Sequence, residues 1–233
     1  MSRRSELAAG LASVQQRIET ACAQVGRDPG SVRLIVVTKT FPADDVRLLA
    51  ELGVTDVGEN KHQEAVDKHA QCADLGLRWH FVGGLQSNKA AAVSAYCDVV
   101  HSVDRRKLIT GLANGARGSE RRVGCLVQVS LGDGEEPQAR SGADPAHVLA
   151  LANRVAYEPD LDLLGVMGVC PLGGDPVRAF DLLAAAAQQL QSEHPGASVI
   201  SAGMSGDLET AIGCGATHVR VGTAVLGARE VLR

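Results

Sequence analysis

The chain has 233 residues, of which 45% are hydrophobic and 21% charged, an ordinary composition for one globular domain spanning residues 1–233. Its 23 basic and 27 acidic residues give a net charge of −4 without any basic run, which disfavours nucleic-acid binding because phosphate contacts need clustered cations. No secretion signal, membrane-length apolar stretch or metal-type Cys/His spacing occurs, so we expect a soluble cytoplasmic protein that holds no metal and is a monomer by default.

An amphipathic helix is predicted at the start of the chain. Apolar side chains recur at intervals of three and four from Leu7 to Val25, which places them on one helical face, and Gly26 ends the pattern. The stretch "VRLIVVT" (32–38) follows and is rich in β-branched residues, as expected for a buried strand. After Pro42, "ADDVRLLAELG" predicts a helix that ends at Gly53.

The same alternation of strand and helix continues to the end of the chain. Seven further short apolar runs occupy residues 54–60, 79–84, 98–103, 123–131, 161–169, 197–204 and 217–222. Stretches mostly of helical length separate them, and helical connections imply parallel strands. Eight such units predict an α/β protein with a closed (β/α)8 TIM barrel and an extra N-terminal helix, the alternative being an open doubly wound sheet.

Lys39 directly follows the first predicted strand. In a (β/α)8 barrel the chemistry lies at the C-terminal ends of the strands, so Lys39 would lie at the barrel mouth. Other polar or flexible residues at predicted strand ends are Glu59, Asn60, His80, Gly83, Gly84, His101, Ser102, Met167, Ser201 and Arg220. Lys39 is either a solvated or ion-paired cation, or an imine-forming amine whose neutral form would be favoured by partial burial.

The loops after strands seven and eight are candidates for a phosphate site. Both "SAGMSGDLETAIGCG" and "RVGTAVLG" carry glycines at a strand-to-helix turn, the usual phosphate position in such barrels. Candidate donors are Ser201, Gly203, Ser205, Gly222 and Thr223. The alternative is that these glycines only make tight turns, and Asp207 disfavours an anion at this position.

Arg220 is predicted to point into the barrel. In "THVRVG" the valines at 219 and 221 suit packing against helices, which turns Arg220 to the opposite face. A charge there needs a partner, either a ligand or a carboxylate such as Glu59 or Glu64. A lysine, a phosphate site and an inward arginine together suit pyridoxal 5′-phosphate (PLP), with the arginine keeping the ring nitrogen unprotonated. A phosphate-sugar lyase with Lys39 as the Schiff-base residue remains an alternative.

Several motifs extend this pattern over residues 32 to 227. They are "VVTKTFP", "VGENKHQEA", "WHFVGGLQSNK", "HSVDR", "VQVSL", "GVMGV", "SAGMSGDLETAI" and "ATHVRVGTAVLG". With these motifs the chain resembles the pyridoxal phosphate homeostasis protein family, single-domain relatives of the alanine racemase N-terminal barrel. It departs from the usual pattern at Phe41, where many members have a lysine, at Ala202, where a methionine is common, and at Gly84, where a proline is common.

The resemblance implies a cofactor site. Lys39 would carry PLP as an internal aldimine, Asn60 would lie beside the cofactor and Arg220 would face its pyridine nitrogen. The phosphate would be held by Ser201, Gly203, Met204, Ser205, Gly222 and Thr223. His80 and Met167 are further candidates for cofactor contact, with His80 alternatively a core residue.

The resemblance also raises the choice between a carrier and an enzyme. Racemase relatives use a lysine and a tyrosine as two bases, but Tyr96 and Tyr157 are predicted on the N-terminal side of the barrel, and no extra β domain follows the eighth helix. We therefore expect a protein that buffers PLP or delivers it to apo PLP-dependent enzymes without robust turnover. The alternative is a PLP-dependent amino-acid racemase or related enzyme, with His80 or a water as second base. The polar segment 132–142 is a candidate lid or a solvated connection.

Overall fold

Eight parallel strands close into a barrel in their order along the chain, β1 to β8. The computed structural model describes residues 2–132 and 142–228. The strands are β1 (Arg33–Val37), β2 (Asp56–Glu59), β3 (Arg78–Phe81), β4 (Val99–Val103), β5 (Val123–Gln128), β6 (Leu161–Met167), β7 (Val199–Ser201) and β8 (His218–Val221). This confirms the predicted (β/α)8 barrel, with each strand inside or within one residue of its predicted run, and excludes the open sheet.

Helices follow the strands on the outside of the barrel. Within the described residues they are α1 (Arg3–Gln24), α2 (Ala43–Glu51), α3 (His62–Gln71), α4 (Ala90–Ser94), α5 (Arg106–Gly118), α6 (Val148–Tyr157), α7 (Pro176–Glu193), α8 (Leu208–Gly213) and α9 (Thr223–Leu226). None of the helices in these ranges has the length and apolar character needed to cross a bilayer. The predicted segment 132–142 falls mostly on residues 133–141, which lie outside the described residues, so its role as a lid stays a prediction.

The extra N-terminal helix α1 packs mainly against α8 and α9, the helices of the last two β/α units. The side chain of Ser2 caps it by accepting a hydrogen bond from the backbone N–H of Ser5. Its buried face, which includes Leu7 and Val14, joins a core cluster with residues of α8, α9 and β8. Gly10 permits the closest approach, because a Cβ at this position would lie 2.4 Å from the backbone oxygen of Val225.

The barrel interior is divided into an apolar part and a polar part. Val99, Leu126 and Met167 form a small apolar cluster. The polar part consists of buried side chains from β2, β3, β4, β7 and β8, namely Asp56, His80, His101, Ser201 and Arg220. On β8, Val219 and Val221 pack outward against the helices, which confirms the predicted alternation and places Arg220 inside.

Candidate functional site

Lys39 lies in the turn that follows β1, at the C-terminal end of the barrel. Its side chain is exposed and not partly buried as expected. With Asn60, Gly222 and Thr223 it lines a pocket with a volume of about 390 Å³. Three residues that were predicted at the ends of β2 and β8 therefore line the same pocket as Lys39. Phe41 and Lys61 also line this pocket.

An ion-pair cluster centred on the buried Lys68 holds the turn that carries Lys39. Nζ of Lys68, on α3, donates to the backbone oxygen of Thr38 at 2.8 Å, to Oε1 of Glu59 at 2.6 Å and to Oε1 of Glu64 at 3.0 Å. The same Glu64 oxygen accepts the backbone N–H of Thr40. Thr40 has a φ of 70°, a left-handed conformation that a β-branched residue rarely adopts without support from its surroundings. We call Lys68, Glu59 and Glu64 the lysine-68 cluster.

The lysine-68 cluster was missed by the sequence analysis. Glu64 and Lys68 are four residues apart on α3, a spacing that predicts an ordinary surface pair. Glu59 was instead considered as a partner for Arg220, and this is wrong, because its Oε1 binds Lys68 and Thr38 while its buried Oε2 accepts no hydrogen bond from any described residue, Arg220 included. Burial raises the pKa of Glu59, against the opposing effect of Lys68.

Asn60 supplies an acceptor without a protein partner. Its Oδ1 is buried and accepts no hydrogen bond from the described residues. Gly83, after β3, packs directly on the backbone of Asn60, since a Cβ at position 83 would lie 2.2 Å from the backbone oxygen of Asn60. Buried polar atoms in folded proteins are almost always paired, so an unpaired one beside a pocket indicates a place for a ligand or water.

Arg220 is buried inside the barrel and pairs with no carboxylate in residues 2–132 and 142–228. Its Nη1 donates to Oγ of Ser201 at 2.6 Å and its Nη2 to the backbone oxygen of Gly168 at 2.9 Å. Burial lowers the pKa of Arg220 to about 10, so the guanidinium remains charged at neutral pH. The ion pair with Glu59 or Glu64 considered from the sequence is wrong, because Lys68 binds both carboxylates.

The two glycine-rich loops lie side by side, but only part of the predicted phosphate set is free. Oγ of Ser205 accepts the backbone N–H of Ala224 at 3.4 Å, which joins the loop after β7 to the start of α9. The backbone N–H of Met204 is donated to Oδ1 of Asp207 at 2.6 Å. Oγ of Ser201 is fully buried between Arg220 and Nδ1 of His101. The expectation that Ser201 donates to a phosphate is therefore corrected.

Two further candidates lie deeper than expected for cofactor contact. Met167 is 1% exposed and packs on Val99 and Leu126 in the apolar part of the interior. Both ring nitrogens of His80 are engaged, Nε2 with Oδ1 of Asp56 and Nδ1 with Nε2 of His101, each at 2.9 Å. His80 therefore has no nitrogen free to serve as a second base.

These residues fit a phosphorylated aldehyde such as PLP. An exposed primary amine, an unpaired amide oxygen and the glycine-rich turn after β8 line the mouth, and a buried guanidinium that pairs with no carboxylate of the described residues lies in the interior. Within residues 2–132 and 142–228, no group of three His, Cys, Asp or Glu side chains is placed to hold a metal ion.

The closed eight-stranded barrel and the match to a family model together place the chain in a class, the barrel domain found in alanine racemases. The model of the family described as alanine racemase, N-terminal domain, matches residues 10–230. A solved alanine racemase from Corynebacterium glutamicum is 15% identical with a TM-score of 0.70 over 98% of this chain and 62% of that one, a likeness that shows the fold alone.

More similar proteins narrow the class to one family. The pyridoxal phosphate homeostasis protein of Mycobacterium tuberculosis is 41% identical, with 98% of this chain and 95% of that protein covered. The protein of the same name from Escherichia coli is 36% identical, with coverage of 97% and 98%. This chain belongs to the pyridoxal phosphate homeostasis protein family.

Solved structures agree with this assignment. PipY of Synechococcus elongatus, in a structure with PLP bound, is 33% identical with a TM-score of 0.80, over 95% of this chain and 100% of that one. A protein of unknown function from Bifidobacterium adolescentis is 32% identical with a TM-score of 0.86, over 96% and 95%.

Proposed function

We propose that this protein binds PLP as an imine on Lys39 and buffers it, or delivers it to apo PLP-dependent enzymes in the cytoplasm. The observation that carries the proposal is the pocket in which Lys39 meets Asn60, Gly222 and Thr223 at the C-terminal end of the barrel. Full-length relatives named for pyridoxal phosphate homeostasis and the PipY structure with PLP bound support it.

Different groups of the site would hold different parts of the cofactor. The amine of Lys39 provides the covalent attachment, and the backbone of Gly203, Gly222 and Thr223 with the hydroxyl of Thr223 provides phosphate donors. The charge of Arg220 disfavours a proton on the pyridine nitrogen. PLP chemistry depends on the ring as an electron sink, and an unprotonated ring is a weaker sink.

The tyrosines and His80 favour a carrier over a racemase. A two-base racemase needs a second proton acceptor near the imine. Tyr96 lies between α4 and β4, at the N-terminal end of the barrel, with its hydroxyl 3.3 Å from Nδ1 of His62. Tyr157 ends α6 and is 79% exposed. Since both nitrogens of His80 are also engaged, none of these three groups can serve Lys39 as a partner base.

An absorbance titration tests the proposal. PLP added to purified protein should develop an imine band that saturates at one equivalent, and Lys39→Ala should abolish it. Lys107→Ala removes an exposed lysine on α5 and should leave the titration unchanged. A wild type that takes up no PLP would refute the proposal and move the phosphate-sugar lyase to first place. Rapid racemisation of added L- or D-alanine by the loaded protein would refute the carrier role and support the racemase.

A further inference from the structure

A continuous chain of hydrogen bonds crosses the barrel interior beneath the site. Oδ1 of Asp56 lies 2.9 Å from Nε2 of His80, and Nδ1 of His80 lies 2.9 Å from Nε2 of His101. Nδ1 of His101 lies 3.0 Å from Oγ of Ser201, which accepts Nη1 of Arg220 at 2.6 Å. All five side chains are at least nine-tenths buried. This series of hydrogen bonds therefore joins Asp56, the first residue of β2 on the N-terminal rim, to Arg220 on β8.

The two ends of this chain, together with two neutral histidines, fix the direction of every hydrogen bond in it. A guanidinium can only donate and an ionised carboxylate can only accept. Asp56 therefore accepts from Nε2 of His80. A neutral His80 then accepts at Nδ1 from Nε2 of His101, and a neutral His101 accepts at Nδ1 from the hydroxyl of Ser201, which itself accepts from Arg220. Each histidine is assigned one tautomer, neutral with its proton on Nε2.

The charges agree with this assignment. Burial raises the pKa of Asp56, but the hydrogen bond from His80, with Thr55 and Arg33, outweighs it and lowers the pKa to about 2, so the carboxylate is ionised at neutral pH. Burial lowers the pKa of His80, and it lowers that of His101 well below the usual range. Both rings are therefore neutral between two fixed and opposite charges.

Among the described residues, the hydrogen bonds of the buried Arg220 guanidinium go to the neutral hydroxyl of Ser201 and the carbonyl of Gly168, and the carboxylate whose charge raises its pKa against burial is Asp207. Asp56 itself pairs with Arg33 at 3.1 Å, so what the hydrogen bonds from Asp56 to Ser201 supply to Arg220 is a fixed orientation of its acceptor, the hydroxyl of Ser201.

We propose that Asp56, His80, His101 and Ser201 form a positioning relay that holds the guanidinium of Arg220 in one orientation, by fixing the direction of the Ser201 hydroxyl that accepts its hydrogen bond. The part of this role that concerns the cofactor rests on the proposed function, in which Arg220 faces the pyridine nitrogen of PLP. The relay makes Asp56, at the far rim from Lys39, a determinant of how the ring is held.

The tautomers can be measured on the wild-type protein without any cofactor. Long-range ¹H–¹⁵N NMR spectra distinguish Nδ1–H, Nε2–H and doubly protonated imidazoles, and His80→Gln and His101→Gln identify the two signals. At neutral pH both rings should be neutral with the proton on Nε2. A proton on Nδ1 of either ring, or a cationic ring, would overturn the relay.

A variant pair then tests the link to the cofactor. Asp56→Asn removes the acceptor-only end of the relay, whereas Asp162→Asn removes a carboxylate near the same rim that pairs with Arg122 outside the relay. Asp56→Asn should shift the absorbance band of bound PLP and weaken its affinity on the order of tenfold, as loss of an outer-shell partner commonly does. Asp162→Asn should match the wild type.

The outcomes separate the two proposals. A wild type that binds PLP while Asp56→Asn behaves like Asp162→Asn would overturn the relay alone. A wild type that binds no PLP would overturn the proposed function, and with it the role of the relay toward the cofactor. If Asp56→Asn does not fold, the tautomer measurement on the wild type decides.

Discussion

Replacing Lys68 with methionine should destabilise the protein strongly, although Lys68 lies outside the pocket. The methionine keeps most of the apolar stem but removes the amine that donates to Thr38, Glu59 and Glu64. The carboxylate of Glu59 is completely buried and would be left without a cation. Removing one partner of a buried ion pair costs about 3–5 kcal/mol, so the free energy of unfolding should fall by about that amount.

The loss should depend on pH in a defined direction. Burial already raises the pKa of Glu59 in the wild type, against the effect of Lys68, and without Lys68 the pKa should rise further. A carboxyl whose pKa is higher in the folded state is most favourable at low pH, and its contribution is lost as the pH rises through that value. Lys68→Met should therefore lose more stability at pH 8 than at pH 5.

Urea unfolding, monitored by circular dichroism at pH 5 and pH 8, measures the free energy of unfolding of each variant. Lys107→Met, an exposed lysine-to-methionine change on α5, is the matched control and should stay within about 0.5 kcal/mol of the wild type. Adding Glu59→Gln to Lys68→Met removes the unpaired charge and should recover part of the loss. A loss for Lys68→Met below about 1 kcal/mol, or one that is larger at pH 5, would refute the reasoning.

Three further changes give sharp expectations. Gly83→Ala should destabilise by more than about 2 kcal/mol in urea unfolding, because its Cβ would meet the Asn60 backbone, whereas Gly84→Ala, with nothing within 4 Å, should be near neutral. Phe180→Ala should cost about 3–5 kcal/mol by the same assay, since this ring is 2% exposed in the core; a loss under 1 kcal/mol would contradict that packing. The pKa of Asp56 is lowered from 3.8 to about 2, so its contribution is present above pH 4 and lost toward pH 2. Asp56→Asn should therefore reduce the acid-induced fall in stability by up to about 2 kcal/mol, and an unchanged acid profile would contradict this.

The barrel and the position of Lys39 could be predicted because their signals are local. Each strand is a short apolar run, and a residue just after a run must lie at the C-terminal end of its strand. The inward direction of Arg220 followed from the valines on either side of it, which the structure places against the helices. Period-two alternation carries this information within four residues.

The relay and the lysine-68 cluster could not be predicted because their contacts are distant in the sequence. His101 and Ser201 are one hundred residues apart, and nothing local in either strand indicates that they meet across the barrel. Ser201 was assigned to the phosphate site because it begins a glycine-rich stretch, but its side chain shares the inward face with Arg220. Closing the barrel decides which strand-end residues face the pocket and which face each other.

The most direct measurement is peptide mass mapping after borohydride reduction of the PLP-loaded protein. The two lysines of the pocket, Lys39 and Lys61, must be distinguished, so wild type, Lys39→Ala and Lys61→Ala are compared. The reduced pyridoxyl group should be found on Lys39 in the wild type and in Lys61→Ala, and should be absent from Lys39→Ala. An adduct that maps to another lysine in the wild type, or no adduct at all, would contradict the assignment of Lys39 as the PLP-binding residue.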